Sequence, residues 1–338
     1  MSLERYSRQI LFPPIGPEGQ QRLRRGQAVI VGCGALGSAQ ANALVRAGIG
    51  RLRIIDRDYV EESNLQRQLM FDEADAAQAL PKAVAAERHL RHLNREVEVE
   101  GVVADVDGLS IEAYLRGFDL ILDGTDNFET RFLINDAALK LGIPWIYGAV
   151  VASYAATLTV LPGRTPCLAC TFPERPQGLQ ETCDTAGVIS PAVAWAAAIQ
   201  VTEALKILAG REAELHGRLL AFDIWKNTLQ EVTPRLDPEC RACQKRQFIY
   251  LEGEALSQTT RLCGRDSIQI RRPEPQTLDL AALRERLAPL GAVRANDFLL
   301  RLKVDPYELT VFADGRAIVK GTDDPAVARK IYAQYVGL

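Results

Sequence analysis

The stretch VIVGCGALGSAQANALVRAGIGRLRIID, Val29–Asp56, decides the fold. Its first residues belong to QAVIVGC, a run of apolar, β-branched residues closed by a glycine turn, which reads as a buried strand. ALGSAQANALVRAG follows with helical character and stops at Gly48, and RLRIIDR reads as a second strand. Between strand and helix, Gly32, Gly34 and Gly37 stand in G-x-G-x-x-G spacing. The first glycine permits the tight turn, the second lets a phosphate approach the backbone, and the third lets the helix pack on the strand. A phosphate then meets free N–H groups and the positive end of the helix dipole. Asp56 ends the second strand about 20 residues on, where an acid can take a ribose hydroxyl. The bland alternative is a tight strand–helix turn with no ligand.

The pattern continues outward. Pro81 to Leu93 is helical, with Pro81 suited to a first turn. VEVEGVVA alternates as a strand, FDLILDG is a short buried strand, Glu129 to Leu141 is a helix, and IPWIYGAVV is again a strand. Strands alternating with helices imply a doubly wound, Rossmann-like parallel sheet. YAATLTVLP, GRLLAFDIW and TLQEVTP then lack short intervening helices, so antiparallel strands continue the sheet. A Pro/Gly/Cys-rich loop (163–187) and a long apolar helix (about 189–208) lie among them. Composition becomes more charged near Lys245, which predicts a boundary there, with a Rossmann-like domain over 1–245 and a small α+β domain over 246–338. Upstream, Arg5 to Arg25 is polar and partly helical, interrupted by FPPIGP.

Composition narrows the class. Hydrophobic content of 47% and charged content of 25% are ordinary for a soluble globular protein. A net charge of −3 gives no basic field for nucleic acid. MSLERYSRQI is too charged for a signal peptide. Ser190, Pro191, Gln200, Thr202, Glu203 and Lys206 interrupt the most apolar helix, which argues against a membrane span and for a cytoplasmic protein.

The residues around the glycine loop go beyond an NAD fingerprint. Asn64 and Arg67 follow in SNLQRQ, and Lys82 opens the next helix in LPK. Singly, such cations are ordinary solvated charges; together they can flank a triphosphate. DGTDN places Asp123 and Asp126 at the end of the fourth strand, where ligands collect in open α/β sheets. A carboxylate there suits Mg²⁺, and capping of the next helix is the plainer role for Asp126. Of seven cysteines, four form C-x-x-C pairs, Cys167/Cys170 and Cys240/Cys243. Two such pairs fit a closed, structural Cys₄ zinc knuckle, with a redox pair or free thiols as the alternatives. Cys33 reads as a small buried filler. Cys183 stands in ETCDTAGV, and Cys263 in RLCGRD has no explanation.

RYSRQI, GCGALG, DRDYVEESNLQRQ, LPK, DGTDN, CLAC with CRAC, and AGVISPAVAWAAAIQVTEALKILAG, in that order, resemble the ThiF/MoeB family over about residues 4–245. These are adenylyltransferases of small ubiquitin-like sulfur carrier proteins, related to ubiquitin-activating enzymes. Ala35 replaces a glycine common in the family, outside the three spaced positions. The resemblance implies attack of a carrier's C-terminal glycine carboxylate on the α-phosphorus of ATP, giving an acyl-adenylate and pyrophosphate. It implies that Asp56 binds ribose, that Arg67 and Lys82 contact phosphates, that Asn64 orders the α-phosphate region and that Asp126 holds Mg²⁺. Arg8 matches an arginine that reaches the partner's active site in a homodimer. Cys183 matches a cysteine that bonds to the carrier in the thiamin branch. ATP, Mg²⁺ and Zn²⁺ are the implied cofactors. A sulfur carrier and a sulfur donor, such as a cysteine desulfurase or rhodanese, are the implied partners. A ThiS-like carrier in thiazole synthesis is favoured over a MoaD-like one in molybdopterin synthesis by TCDTAGV and the long tail. A non-catalytic activator subunit and an NAD-dependent oxidoreductase are the competing classes. The tail shows no metal pair or nucleophile, and its role is open.

Overall fold

The computed structural model describes residues 3–173, 186–252, 259–261, 267–270 and 277–337. The chain divides into two compact units, Met1–Ala255 and Leu256–Leu338. The first unit runs past the change of composition near Lys245, because Phe248, Tyr250 and Leu251 are buried in its core beside Cys167 and Cys240.

The first unit is built on an eight-stranded sheet. Its strands are β1 (Gln27–Val31), β2 (Arg51–Asp56), β3 (Glu98–Val103), β4 (Leu120–Asp123), β5 (Trp145–Val151), β6 (Tyr154–Val160), β7 (Leu219–Asp223) and β8 (Thr228–Val232). They lie in the order β3-β2-β1-β4-β5-β6-β7-β8. Neighbours from β3 through to β5 are parallel, and β6, β7 and β8 add on antiparallel. The sheet is therefore Rossmann-like and mixed, and the strand order reverses between β1 and β4. In open α/β sheets ligands bind at such a switch point, outside the carboxyl ends of the strands.

Local chemistry sets the helices. Among the described residues, the helices of eight or more residues in this unit are α1 (Gly16–Leu23), α2 (Ala35–Ala47), α3 (Lys82–Leu93), α4 (Phe128–Leu141) and α5 (Ser190–Leu208). α2 stops where Gly48 takes φ +79°, a left-handed cap that costs a side-chain-bearing residue more. The Asn127 side chain accepts the Thr130 N–H to start α4, and Gly142 ends it at φ 72°.

α5 is long and apolar enough to cross a membrane by length and composition alone. Its packing reads as a core helix. Ala192, Val193, Ala196 and Ala197 are buried, and Gln200 and Glu203 are buried with hydrogen-bond partners. Two of the polar interruptions noted in the sequence, Gln200 and Glu203, thus attach the helix to the sheet.

Among the described residues, the second unit is an antiparallel sheet with two α-helices. The strands are β9 (Thr259–Arg261), β10 (Ser267–Ile270), β11 (Ala292–Ala295), β12 (Leu299–Val304), β13 (Tyr307–Phe312) and β14 (Ala317–Lys320), in the order β11-β12-β13-β14-β10-β9. α6 (Leu280–Leu287) and α7 (Pro325–Tyr335) supply Leu283, Leu287, Ala328 and Ile331 to a core shared with Ile268, Leu300, Leu309 and Val319. Asp279 and Asp324 cap the two helices through their carboxylates.

Candidate functional site

The glycine loop lies at the switch point. Gly32 has φ +91°, and a Cβ on it would stand 2.6 Å from the Gly124 carbonyl oxygen. A Cβ on Gly37 would stand 1.9 Å from the Gly32 carbonyl oxygen. These two glycines are required by the protein itself, since α2 and the turn after β4 press on the loop. Gly34 differs: a Cβ there would meet nothing nearer than 4.0 Å, from Gln68 and from Gly124. The space over the middle glycine is open, at the N-terminus of a 13-residue helix, as anion binding requires.

Asp56 is tied to this loop. Its carboxylate accepts the Cys33 N–H at 2.5 Å and the Asp58 N–H at 2.7 Å. Burial pushes the Asp56 carboxyl above the ordinary aspartate range, while the nearby Lys82 charge works against that rise. Lys82 is buried at the start of α3, with Nζ 3.4 Å from the Asp58 carboxylate. Arg57, which the sequence did not single out, pairs with Asp105 at 3.2 Å. Burial acts to lower its pKa, and the carboxylates of Asp105, Asp58, Asp126 and Asp56 outweigh it. Asn64 is fully buried, and its Oδ1 accepts the Glu61 N–H at 3.1 Å. Arg67 is half-buried and donates to the Ser63 carbonyl at 2.8 Å.

The two acids of DGTDN have opposite surroundings. Asp123 is fully buried. Its carboxylate accepts from the Thr125 N–H and hydroxyl, the Gly148 N–H and Arg131 Nε. Burial raises its pKa, and the Arg131 cation opposes this. Asp126 is exposed, and its Oδ1 takes one contact, from the Asn127 amide at 3.2 Å. Of the two, only Asp126 has lone pairs to offer a cation.

The turn is braced by residues that sequence reasoning missed. Arg131 also donates to the Thr125 carbonyl at 2.9 Å. The Asp123 carbonyl accepts from Gln40 at 2.9 Å and from Gln200 at 3.1 Å, and Gln40 donates to Gln200 at 2.6 Å. Gly148 is small because a Cβ there would lie 2.4 Å from the Gln200 amide. The available signal was a glutamine among mostly apolar neighbours in each of two helical runs.

The four paired cysteines meet, although one pair precedes α5 and the other follows β8. The sulfur separations are 3.9 Å for Cys167–Cys170, 3.7 Å for Cys167–Cys240 and 3.4 Å for Cys170–Cys243. All four sulfurs lie within 4.8 Å of one another. Tetrahedral zinc with Zn–S bonds of about 2.3 Å sets sulfurs about 3.8 Å apart, so this donor set fits the ion. α4 anchors both arms: Asn135 accepts the Leu168 N–H at 3.0 Å, and buried Asp136 pairs with Arg241 at 3.1 Å.

Arg8 lies at the other end of α2 from the glycine loop. Its neighbour Tyr6 packs on Gly48 and accepts a hydrogen bond from Asn94 at 2.8 Å, while Gln9 donates to the Ala47 carbonyl at 2.9 Å. α2 has 13 residues. Its length therefore keeps Arg8 roughly 20 Å from the loop of its own chain. Arg8 is exposed, with no hydrogen bond or ion pair among the described residues. Cys33 is buried in the core, as expected of a filler. Cys183 and Cys263 lie outside the described residues.

Fold and site together define a Rossmann-like α/β protein with a phosphate-shaped glycine loop and a four-cysteine cluster. The chain belongs to the ThiF family, whose signature matches residues 6–242. It is 48% identical over 336 residues to the sulfur carrier protein ThiS adenylyltransferase of Bacillus subtilis, covering 98% of this chain and 99% of that one. It is 38% identical over 248 residues to a sulfur carrier protein adenylyltransferase of Thermus thermophilus, covering 71% of this chain and 90% of the relative. Among solved structures, E. coli MccB with ATP aligns at a TM-score of 0.61 and 22% identity, covering 71% of this chain and 75% of that one. At that identity it attests the fold alone.

Proposed function

We propose that this chain is an ATP-dependent adenylyltransferase acting on the C-terminal glycine of a ubiquitin-like sulfur carrier of the ThiS type. The observation that carries this reading is the 48% identity to a ThiS adenylyltransferase over nearly the full length of both chains. The carrier's carboxylate attacks the α-phosphorus, pyrophosphate leaves, and an acyl-adenylate remains for later sulfur transfer. A carboxylate is already ionised near neutral pH, so the site needs no general base. It supplies position and charge compensation.

In this reading the triphosphate lies over Gly34 at the N-terminus of α2, and Asp56 takes the ribose. Lys82 and Arg67 compensate phosphate charge, Asn64 orders the α-phosphate region, and Asp126 holds Mg²⁺. Arg8 serves the second site of a homodimer, because its own pocket is a helix length away. The alternative of a hydride-transfer enzyme gives Arg67 and Lys82 no task. Cys183 is assigned the covalent bond to the carrier. The sulfur donor is a persulfide-forming protein such as a cysteine desulfurase or rhodanese.

The test is ATP–pyrophosphate exchange with purified ThiS-type and MoaD-type carriers side by side. Exchange dependent on the ThiS-type carrier is expected. Exchange with neither rules out catalysis, and exchange with the MoaD-type carrier alone reassigns the substrate.

The cysteine cluster is assigned zinc. Purified protein is expected to hold the metal, and Cys243→Ser to lose it with a drop in Tm of about 10 °C, the scale of a few kcal/mol lost from a closed metal site. Elemental analysis and thermal melts check both. A metal-free wild type with an unchanged Tm would leave the cysteines as a packing cluster.

A further inference from the structure

We propose that the second unit holds a carboxylate-binding site, with the Arg316 guanidinium as its fork. The proposal stands independently of the adenylyltransferase reading and gives the second unit a binding role.

The hairpin between β13 and β14 builds the site. Gly315 turns the chain at φ 83°, and the Tyr332 hydroxyl of α7 donates to the Gly315 carbonyl at 2.6 Å. The Phe312 N–H donates to the Arg316 carbonyl at 2.9 Å, so the two residues oppose each other across the turn. Val311 and Ala317, one step along each strand, belong to the core that α6 and α7 share. Side chains alternate along a strand. Phe312 and Arg316 therefore lie on the other face of the sheet, with Leu299 opposite Phe312 and Ile318 opposite Thr310.

The guanidinium is fixed on two sides. Its Nε donates to the Asp314 carboxylate at 2.8 Å, and the other Asp314 oxygen accepts the Arg316 N–H at 3.2 Å. Its central carbon lies 3.9 Å from the centre of the Phe312 ring. The end of the fork is left over. Arg316 is 5% exposed, and among the described residues neither Nη1 nor Nη2 has a hydrogen-bond partner. Buried polar groups are ordinarily paired, and a buried cation without full pairing is costlier still. Two N–H groups side by side in one plane match the two oxygens of a carboxylate. Thr310, on the same face as Phe312, repeats the deficit, since it is fully buried and its Oγ1 has no partner among the described residues.

Charge selects the ligand. Arg316 and Asp314 together are neutral, and Leu299, Phe312 and Ile318 make the buried face around them apolar. A carboxylate leaves one net negative charge there, whereas a phosphate dianion leaves two. The Asp314 side chain is 45% exposed, so the fork lies about a guanidinium's width beneath the surface. The carboxylate can belong to a free organic acid or to the end of a polypeptide, and the recognition chemistry is the same.

The test is saturation-transfer NMR on the full chain, with acetate standing for a free acid and N-acetylglycine for a chain end. Wild type is expected to transfer to at least one probe. Transfer to acetate shows that a free acid suffices, and transfer to N-acetylglycine alone assigns a polypeptide end. Dependence on Arg316 is the criterion, because the adenylation site also receives a carboxylate. Arg316→Met keeps an apolar stem over Phe312 and is expected to weaken binding about 10- to 100-fold, the range of a charge-assisted pair. Asp314→Asn keeps an acceptor for the Arg316 N–H and removes a competing negative charge. It is expected to tighten binding about 3-fold, the scale of two charges several ångströms apart near water. A purely structural arginine would produce no such gain. Melting curves verify folding, and Asp314→Asn carries the test if Arg316→Met does not fold. No transfer to either probe in wild type, or wild-type transfer in the folded variants, overturns the site and leaves the adenylyltransferase reading standing.

Discussion

Asp126→Ala is expected to lower Mg²⁺-dependent pyrophosphate exchange by about a thousandfold, the scale of several kcal/mol of charge stabilisation at the phosphates, with the melting temperature unchanged. Asp126 is exposed and its carboxylate takes one contact, from its neighbour's amide, so the fold loses almost nothing with it. Asp123, three residues earlier, is the internal control. Its carboxylate accepts four hydrogen bonds and pairs with Arg131, all inside the protein. Asp123→Ala strands the buried Arg131 cation and is expected to cost about 3–5 kcal/mol of stability. The two variants should therefore separate, one folded and inactive, the other poorly folded. Full exchange activity in folded Asp126→Ala would remove the magnesium assignment, and a stable Asp123→Ala would show that Arg131 is satisfied without it.

The parts of the site legible in the sequence are those that a short range of residues determines. G-x-G-x-x-G between a β-branched run and a helical one fixes a strand–turn–helix. The open space over Gly34 and the crowding at Gly32 and Gly37 follow from that spacing. The paired cysteines were legible for a different reason: C-x-x-C carries its own chemistry wherever the fold puts it. Other features depend on partners brought together from distant segments. The sequence places both Asp123 and Asp126 at a strand end. It cannot show that Gly148 and Arg131 saturate one of them and leave the other bare. Gln40 and Gln200 sit far apart in the chain and meet only when α2 and α5 close over β4. Arg316 was passed over, because a charged residue after a turn reads as surface until its burial and its unpaired nitrogens are visible.

Arg8 gives the second large expected effect. Arg8→Ala and Asp126→Ala are each expected to be inactive as homodimers. A re-equilibrated mixture of the two should regain about a quarter of the wild-type activity, the statistical share of intact sites in a two-fold dimer whose sites take residues from both chains. The reasoning starts from α2. Tyr6 and Gln9 hold the N-terminal segment against Gly48 and Ala47, while the proposed phosphate position lies beyond Gly34 at the opposite end of the same helix. A side chain a few ångströms long cannot cover that distance, so any contact between Arg8 and a nucleotide must come from another copy. In a mixed dimer, the chain that lacks Arg8 keeps its own Asp126 and receives Arg8 from its partner, so one complete site forms, and the other site lacks both groups. Native mass spectrometry establishes that mixed dimers are present, and exchange reads the activity. Mixed dimers without recovered exchange, or an Arg8→Ala homodimer with full activity, would show that the arginine does not serve the neighbouring pocket.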